Sequence, residues 1–98
     1  MIALSPEAQT QLNRLIAHYE AKERLQAAMN LLHALERAKA RIADAPDLGL
    51  DAPRPYPALK RAGRRWIIEG RYWISYSRTT PPVISGVFYV TADIPNRI

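Results

Sequence analysis

The sequence predicts an α+β domain in which a helical hairpin packs on one face of a three- to four-stranded antiparallel sheet. In the first half of the chain, apolar residues recur at the three- and four-residue spacing of helices. In the second half the spacing changes to two, and β-branched and aromatic residues predominate, as is typical of strands. The chain has 98 residues, of which 48% are hydrophobic. This length supports one two-layer core, so we expect a single domain over residues 1–98.

The first helix is predicted to begin at Pro6. Ser5 is a suitable N-cap, proline is tolerated in the first turn, and Glu7 is favourable beside the helix dipole. A single helix through residue 44 would be about three times the usual length. We therefore expect a turn near Tyr19–Arg24 and two helices, at about Pro6–Lys22 and Arg24–Asp44. The buried stripe of the second helix is predicted to comprise Leu25, Ala28, Met29, Leu32, Leu35, Ala38 and Ile42.

The strand half follows a connector, residues 46–57, that is rich in proline and too short to join two domains. Glu69-Gly70 and Thr79–Pro82 are predicted reversals between strands, and such short connections make an antiparallel meander. Ile2–Leu4 is predicted to add a short edge strand. The three strands of the meander are expected at Arg64–Glu69, Arg71–Ser77 and Val83–Thr91.

Positive charge is concentrated in the segment from Arg54 to Arg78. It contains seven basic residues and one acid, Glu69, a net charge of +6, whereas the whole chain carries +5. Both tryptophans and three of the five tyrosines lie in the same segment. A positive sheet surface with aromatic rings suits a polyanion or an acidic partner segment. The alternative interpretation is a solvated basic face on an ordinary small domain.

Several classes of chemistry lack their motifs in this sequence. No cysteine is present, and His18 and His33 do not have the spacing of metal ligands. There is no glycine-rich phosphate loop and no nucleophile motif. We therefore expect no metal and no cofactor. Neither a signal peptide nor a run of 18 apolar residues is found, so a cytoplasmic protein without membrane contact is predicted.

Two segments of the second half carry a family resemblance. Gly70–Tyr76 reads G-R-Y-W-I-S-Y and is similar to the G-x-Y-R-x-x-Y strand of the RelE/ParE superfamily of type II toxins. Val87–Arg97 is similar to the last strand and the ending of that family, and the helix pair and the Leu59-Lys60-Arg61 entry to the sheet fit the family in order and length. The order of elements also matches over nearly the whole chain. The resemblance implies the toxin component of a toxin–antitoxin module, of the kind that stabilises plasmids.

The departures from the family pattern bear on activity. The mRNA-cleaving members use clustered Lys and Arg with a terminal Tyr, His or Arg to polarise the scissile phosphate without a metal. Here Trp73 stands at the position of the strand arginine, Tyr89 at that of the last-strand histidine, and Gly86 at that of the preceding arginine. If the chain were such a nuclease, its candidate catalytic residues would be Lys60, Arg61, Arg65, Arg71, Tyr89 and Arg97.

These departures favour the ParE-like branch, whose members inhibit DNA gyrase by binding it. The candidate binding residues are then Arg64, Arg65, Trp73, Arg78, Asp93 and Arg97. The expected partners are DNA gyrase and a cognate antitoxin, an acidic segment with apolar anchors that wraps the helical hairpin and the sheet. Contact with DNA and oligomer formation are expected only through the antitoxin. Two alternatives remain: a ribosome-dependent mRNA endonuclease, and a degenerate member or basic scaffold that only binds the antitoxin.

Overall fold

Two helices pack on one face of a four-stranded sheet in the computed structural model, which describes residues 2–96. The sheet order is β1-β4-β3-β2. In this part of the chain, neither helix combines the length and the apolar composition that a membrane span needs. The elements are β1 (Ala3–Leu4), α1 (Pro6–Ala21), α2 (Leu25–Asp44), β2 (Arg64–Glu69), β3 (Tyr72–Ser77) and β4 (Val83–Tyr89), with short 3-10 turns at Pro57–Leu59 and Ile94–Asn96.

The helical hairpin and the antiparallel meander are confirmed, with small differences in their bounds. β2 has the predicted bounds, whereas β3 begins one residue later than predicted, because Gly70 and Arg71 form the turn between them. Gly70 has a φ of 58°, which glycine adopts without steric cost. β4 ends at Tyr89, two residues early, since the Ala92 N–H turns back to the Tyr89 carbonyl at 2.9 Å.

The prediction of a fully antiparallel sheet was wrong, because β1 runs parallel to β4. Ala3 pairs with Val83 and Leu4 with Ile84, so the sheet is mixed. Only a direct hairpin connection forces neighbouring strands to be antiparallel. Both helices and the rest of the sheet separate β1 from β4 in the chain, so no such constraint acts on this pair. The parallel direction leads directly into α1, and the Ser5 N–H continues the pairing by donating to the Ile84 carbonyl at 2.8 Å.

The turn between the helices lies at Lys22–Arg24, within the predicted interval. The start of α1 is capped as predicted, since the Ser5 hydroxyl accepts a hydrogen bond from the Ala8 N–H at 3.1 Å. At the other end, the Arg24 N–H donates to the Tyr19 carbonyl at 2.7 Å, and Glu23 has a φ of 54°. A residue with left-handed backbone dihedrals ends many α-helices, and this residue is usually glycine. Because a glutamate takes that place here, no glycine marked the turn in the sequence.

The two faces of the sheet form separate cores. Tyr72, Ile74 and Tyr76 of β3 face the helices in the larger core. The hydroxyls of Tyr19 and Tyr72 are hydrogen-bonded at 2.6 Å, and burial together with this bond raises the pKa of Tyr72 well above its ordinary value. The opposite face carries a smaller cluster, which comprises Trp66, Trp73, Phe88 and Ile94 with Tyr56, Leu59 and Val90 around it. The connector and the C-terminal turn therefore cover the face that the helices leave open.

Glu69 at the end of β2 connects the helix α2 to the sheet. Its carboxylate accepts hydrogen bonds from Arg37 and Arg41 of α2, each at 2.9 Å. Burial of Glu69 acts to raise its pKa, but the hydrogen bonds from Arg37 and Arg41 outweigh it, so the pKa lies below its ordinary value. The carboxylate therefore binds its proton less readily in the folded chain than in the unfolded chain.

The variant Glu69→Gln is expected to lose about 1 kcal/mol of unfolding free energy at neutral pH, because both arginines are half exposed. A lowered folded-state pKa gives stability that is present above the unfolded-state pKa and lost as the pH falls through the folded-state value. The wild type should therefore lose more stability than the variant between about pH 6 and about pH 3. Urea denaturation at several pH values measures this difference.

A suitable control is Glu36→Gln, because the Glu36 carboxylate is exposed and, within residues 2–96, forms its ion pair with Lys39 alone, at 3.4 Å. We expect its pH profile to follow that of the wild type. A Glu69→Gln profile that also follows the wild type would show that the two arginine contacts do not stabilise the fold.

Candidate functional site

Five of the ten predicted site residues lie at one end of the sheet, where β2 begins and β3 ends. We call this the basic end, and it comprises Lys60, Arg61, Arg64, Arg65 and Arg78. Three of these cations are paired with carboxylates. Lys60 lies 3.7 Å from Asp51, Arg65 forms an ion pair with the same carboxylate, and Arg78 forms one with Asp47.

The connector places both aspartates at the basic end. The Tyr76 hydroxyl donates to the Pro46 carbonyl at 2.6 Å and accepts from the Gly49 N–H at 3.2 Å. Burial raises the pKa of this hydroxyl, which remains a donor. Next along the connector, Leu50 and Trp66 exchange two backbone hydrogen bonds of 2.7 Å. This short pairing brings Asp51 next to the start of β2.

Arg64 and Arg61 form no ion pair with a carboxylate of the described chain, unlike the other three cations of the basic end. The Arg64 guanidinium donates to the Leu59 carbonyl and lies over the Trp66 ring, 5.3 Å from its centroid. Burial and the nearby charge of Arg61 lower the pKa of Arg64. The Arg64 Nε and the Trp66 Nε1 are buried and have no hydrogen-bond partner in the described chain. The Arg61 side chain is exposed and makes no ion pair with the residues described.

Two further predicted residues meet at the opposite end of the sheet. Arg71 Nη1 donates to the Tyr89 hydroxyl at 3.3 Å, and this bond raises the pKa of Arg71. The Tyr89 ring meets the Tyr72 ring edge to face, with centroids 5.7 Å apart. Tyr72 in turn is bonded to Tyr19, which lies under the Arg24 guanidinium at 5.6 Å. We call Tyr19, Tyr72 and Tyr89 the tyrosine cluster.

Seven of the predicted site residues therefore fall into two groups, five at the basic end and two, Arg71 and Tyr89, at the opposite end. Five residue intervals of β3 separate the two ends of the sheet, a distance of about 17 Å. Trp73 belongs to neither group, since it is buried in the smaller core with 6% of its surface exposed. Asp93 lies near the second group and lines a groove beside Tyr89. Arg97 lies outside the described residues.

The groove runs between α1 and β4 and has a volume of about 960 Å³. Thr10, Gln11, Arg14 and His18 line it from the helix, and Val87 and Tyr89 line it from the strand. Sequence reasoning singled out only Tyr89 among these residues. The others were not predicted, although Gln11, Arg14 and His18 recur at spacings of three and four, which places them on one face of α1.

A second surface that the sequence did not predict lies on α2. Leu25, Met29 and Leu32 were expected in the buried stripe, but their exposed fractions are 65%, 51% and 43%. The buried positions of α2 are Ala28, Leu31, Ala34, Leu35, Ala38 and Ile42. Leu25, Met29 and Leu32 follow each other at spacings of four and three, so they form one exposed apolar row, which we call the α2 row.

The basic end, the groove and the α2 row present charged and apolar groups at the surface. Within residues 2–96, no three histidine or carboxylate side chains lie close enough together to hold a metal ion. In comparisons with known proteins, no protein-family model matches the chain, and no curated protein does so either.

Proposed function

We propose that this chain is the toxin of a type II toxin–antitoxin module, of the ParE-like kind, which inhibits DNA gyrase by binding it. The proposal of this family rests on the sequence resemblance of Gly70–Tyr76 and Val87–Arg97. The preference for binding over catalysis rests on the positions of the cations. In this proposal the protein acts in the cytoplasm without a cofactor.

The cations are poorly placed for phosphate chemistry. A metal-independent nuclease needs several donors that converge on one phosphate. Here the candidates lie at two ends of the sheet, about 17 Å apart. At the basic end, Lys60 and Arg65 already meet Asp51, which reduces their local field. A spread of partly paired cations suits a protein interface, where charge guides association and sets orientation.

The α2 row supports the presence of a protein partner. Three neighbouring apolar side chains on one helix face fit the apolar side of an amphipathic helix. We assign this surface to the antitoxin, whose acidic residues would be attracted by the +5 charge of the chain. The complex would then be the oligomeric unit, and contact with DNA would come from the antitoxin.

One observation favours the alternative of an mRNA endonuclease. Arg71 and Tyr89 are hydrogen-bonded at 3.3 Å beside a groove that also contains Arg14 and His18. An arginine, a phenol and an imidazole are among the groups that can stabilise charge and transfer protons in a metal-independent cleavage. An endonuclease would need the chemistry of these side chains, whereas a gyrase-binding protein would need only their charge and shape.

Replacing arginine by lysine separates the two functions. The charge is kept but the bidentate geometry is lost, so a chemical site suffers while a diffuse interface does not. We expect Arg61→Lys and Arg71→Lys to retain growth inhibition within about twofold, and Arg61→Glu to weaken it about tenfold or more. Arg61 is suited to the charge reversal because its side chain has no ion pair in the described chain.

Growth of cells that express each variant at equal level measures the effect. The matched control is Lys39→Glu, a charge reversal on α2, away from the basic end. Strong loss of inhibition by Arg71→Lys, together with cleaved mRNA in cells that express the wild type, would favour the endonuclease.

A further inference from the structure

The first part of the connector lies beside the cations of the basic end. We call this part, residues 46–51, the strap. Asp47 of the strap forms an ion pair with Arg78, and Asp51 forms one with Arg65. One short segment therefore supplies the carboxylates that meet the cations of the basic end.

These ion pairs contribute little to holding the strap in place. The side chains of Asp47 and Asp51 are 72% and 54% exposed, and ion pairs in water are worth about 1 kcal/mol or less. Other contacts must position the strap and thereby bring its carboxylates to the cations.

Uncharged contacts fix the backbone of the strap. The Tyr76 hydroxyl donates to the Pro46 carbonyl and accepts from the Gly49 N–H, and Leu50 exchanges two backbone hydrogen bonds with Trp66. The packing is close, since a Cβ added to Gly49 would lie 2.5 Å from the Tyr76 hydroxyl oxygen. The carboxylates are therefore held near the cations even though the ion pairs themselves are weak.

A carboxylate held in this way competes with anions from solution. A tethered group acts at an effective concentration that reaches about the millimolar range, so a weakly bound external anion must displace it. Arg61 is exposed and has no ion pair within the residues described, so an anion reaches it directly. To reach Arg65 or Arg78, the same anion must replace a carboxylate of the strap.

The two paired arginines are close enough to share one multivalent anion. Arg65 lies opposite Tyr76, and the Arg78 N–H continues the ladder by donating to the Gly63 carbonyl at 2.8 Å. Arg65 and Arg78 are thus diagonal neighbours on one face of the sheet, about 7–8 Å apart. An anion with several charged groups can contact both.

We propose that the strap is an autoinhibitory cover of the basic end. In the free chain Asp47 and Asp51 occupy its paired cations, and a partner binds there only when its own anionic groups replace these carboxylates. The strap backbone remains fixed while the two side chains turn away. The cover thereby excludes single weak anions and admits a partner that presents at least two anionic groups together. The inference rests on the proposed function only in treating the basic end as a binding surface, and it does not depend on gyrase.

Neutralising the strap tests the competition. The probe is inorganic tripolyphosphate, and calorimetric titration of the full chain at about 0.15 M salt measures its affinity. We expect Asp47→Asn with Asp51→Asn to tighten binding about tenfold, because no internal carboxylate competes any longer. In NMR spectra of the wild type, the probe should shift the signals of Arg65 and Arg78.

The matched control is Glu20→Gln with Glu23→Gln. Both side chains are exposed near the turn between the helices, and the adjacent Tyr19 contacts the end of β3 opposite the basic end. The net charge rises by the same two units. Charges at that distance are screened beyond about 8 Å, so the control should gain less than about twofold in affinity.

Tyr76→Phe tests the position of the strap without any change of charge. Loss of the hydroxyl that holds the strap should tighten probe binding about threefold and speed amide exchange at Leu50. The matched control is Tyr72→Phe, which removes a hydroxyl from the same face of β3 at its other end, where it bonds to Tyr19. It should leave the affinity for the probe unchanged.

Three results would overturn the inference. The first is an equal gain in affinity by the aspartate and the glutamate double variants, which would show that net charge alone sets the affinity. The second is unchanged affinity in Tyr76→Phe, which would show that the position of the strap does not limit binding. The third is probe-induced NMR shifts at Arg14 and His18 of the groove, with Arg65 and Arg78 unchanged. No gyrase or antitoxin enters these measurements, so their failure is distinct from a failure of the proposed function.

Discussion

Replacement of Gly86 by alanine is expected to lower the free energy of unfolding by about 2–3 kcal/mol. A Cβ at this position would lie 2.6 Å from the Phe88 ring and 2.7 Å from the Ser75 hydroxyl. The Ser75 side chain can rotate away, but the Phe88 ring is buried against Trp66 in the smaller core and has no room to move. The added methyl group must therefore push β4 away from β3. Urea denaturation measures the loss as a lower midpoint at constant slope.

The control for this prediction is Gly63→Ala. Gly63 has a φ of 75°, and no atom lies within 4 Å of the Cβ that alanine would add. Only the cost of the left-handed backbone remains, about 1 kcal/mol. If Gly86→Ala were no more destabilising than Gly63→Ala, the close packing of Phe88 across Gly86 would be disproved.

The double variant Met29→Ser with Leu32→Ser is expected to weaken antitoxin binding about 100-fold. Both side chains belong to the α2 row, which we assign to the antitoxin, and apolar anchors at the centre of an interface contribute most of its affinity. Stability should change by less than about 1 kcal/mol, because both residues are about half exposed in the free chain. Calorimetric titration of the variant chain with the proposed antitoxin measures the affinity.

The matched control is Gln26→Ser with Asn30→Ser, which changes two exposed polar residues on the same helix. This variant should bind the antitoxin with wild-type affinity. If the two double variants bound equally well, the α2 row would not be the surface for the proposed antitoxin, whatever the cellular target of the chain is.

The elements themselves could be predicted because local chemistry decides them. β2 has its predicted bounds because Gly70 closes a two-residue turn and the period-two pattern begins at Arg64. Ser5 capped α1 as expected, since an N-cap depends only on residues three positions away. The direction of β1 could not be predicted in this way. It follows from long-range packing, not from a turn.

The burial of α2 was predicted only in part. Seven apolar positions were assigned to one stripe, but a helix that lies on a sheet buries a limited arc. Leu31 and Ala34 take the buried positions, and the α2 row faces outward. The spacing of apolar residues alone does not distinguish a stripe that is buried in the core from an apolar row that is exposed on the surface.

The candidate site was less predictable than the fold. The sequence showed a cluster of cations, but their pairing with Asp47 and Asp51 depends on the path of the connector over the sheet. The contact between Arg71 and Tyr89 spans 18 positions in the chain and follows from the register of β3 with β4. The hydrogen bond from the Val87 N–H to the Gln11 side chain spans 76 positions, and no local pattern indicates it.

The most direct test of the proposed function is a supercoiling assay with purified DNA gyrase and relaxed plasmid. We expect the purified chain to inhibit supercoiling in proportion to its concentration, and the proposed antitoxin to restore it. A translating extract with the same amount of protein should show intact mRNA by primer extension. Full supercoiling at excess protein, with mRNA cleaved in the extract, would disprove inhibition of gyrase and establish the endonuclease instead.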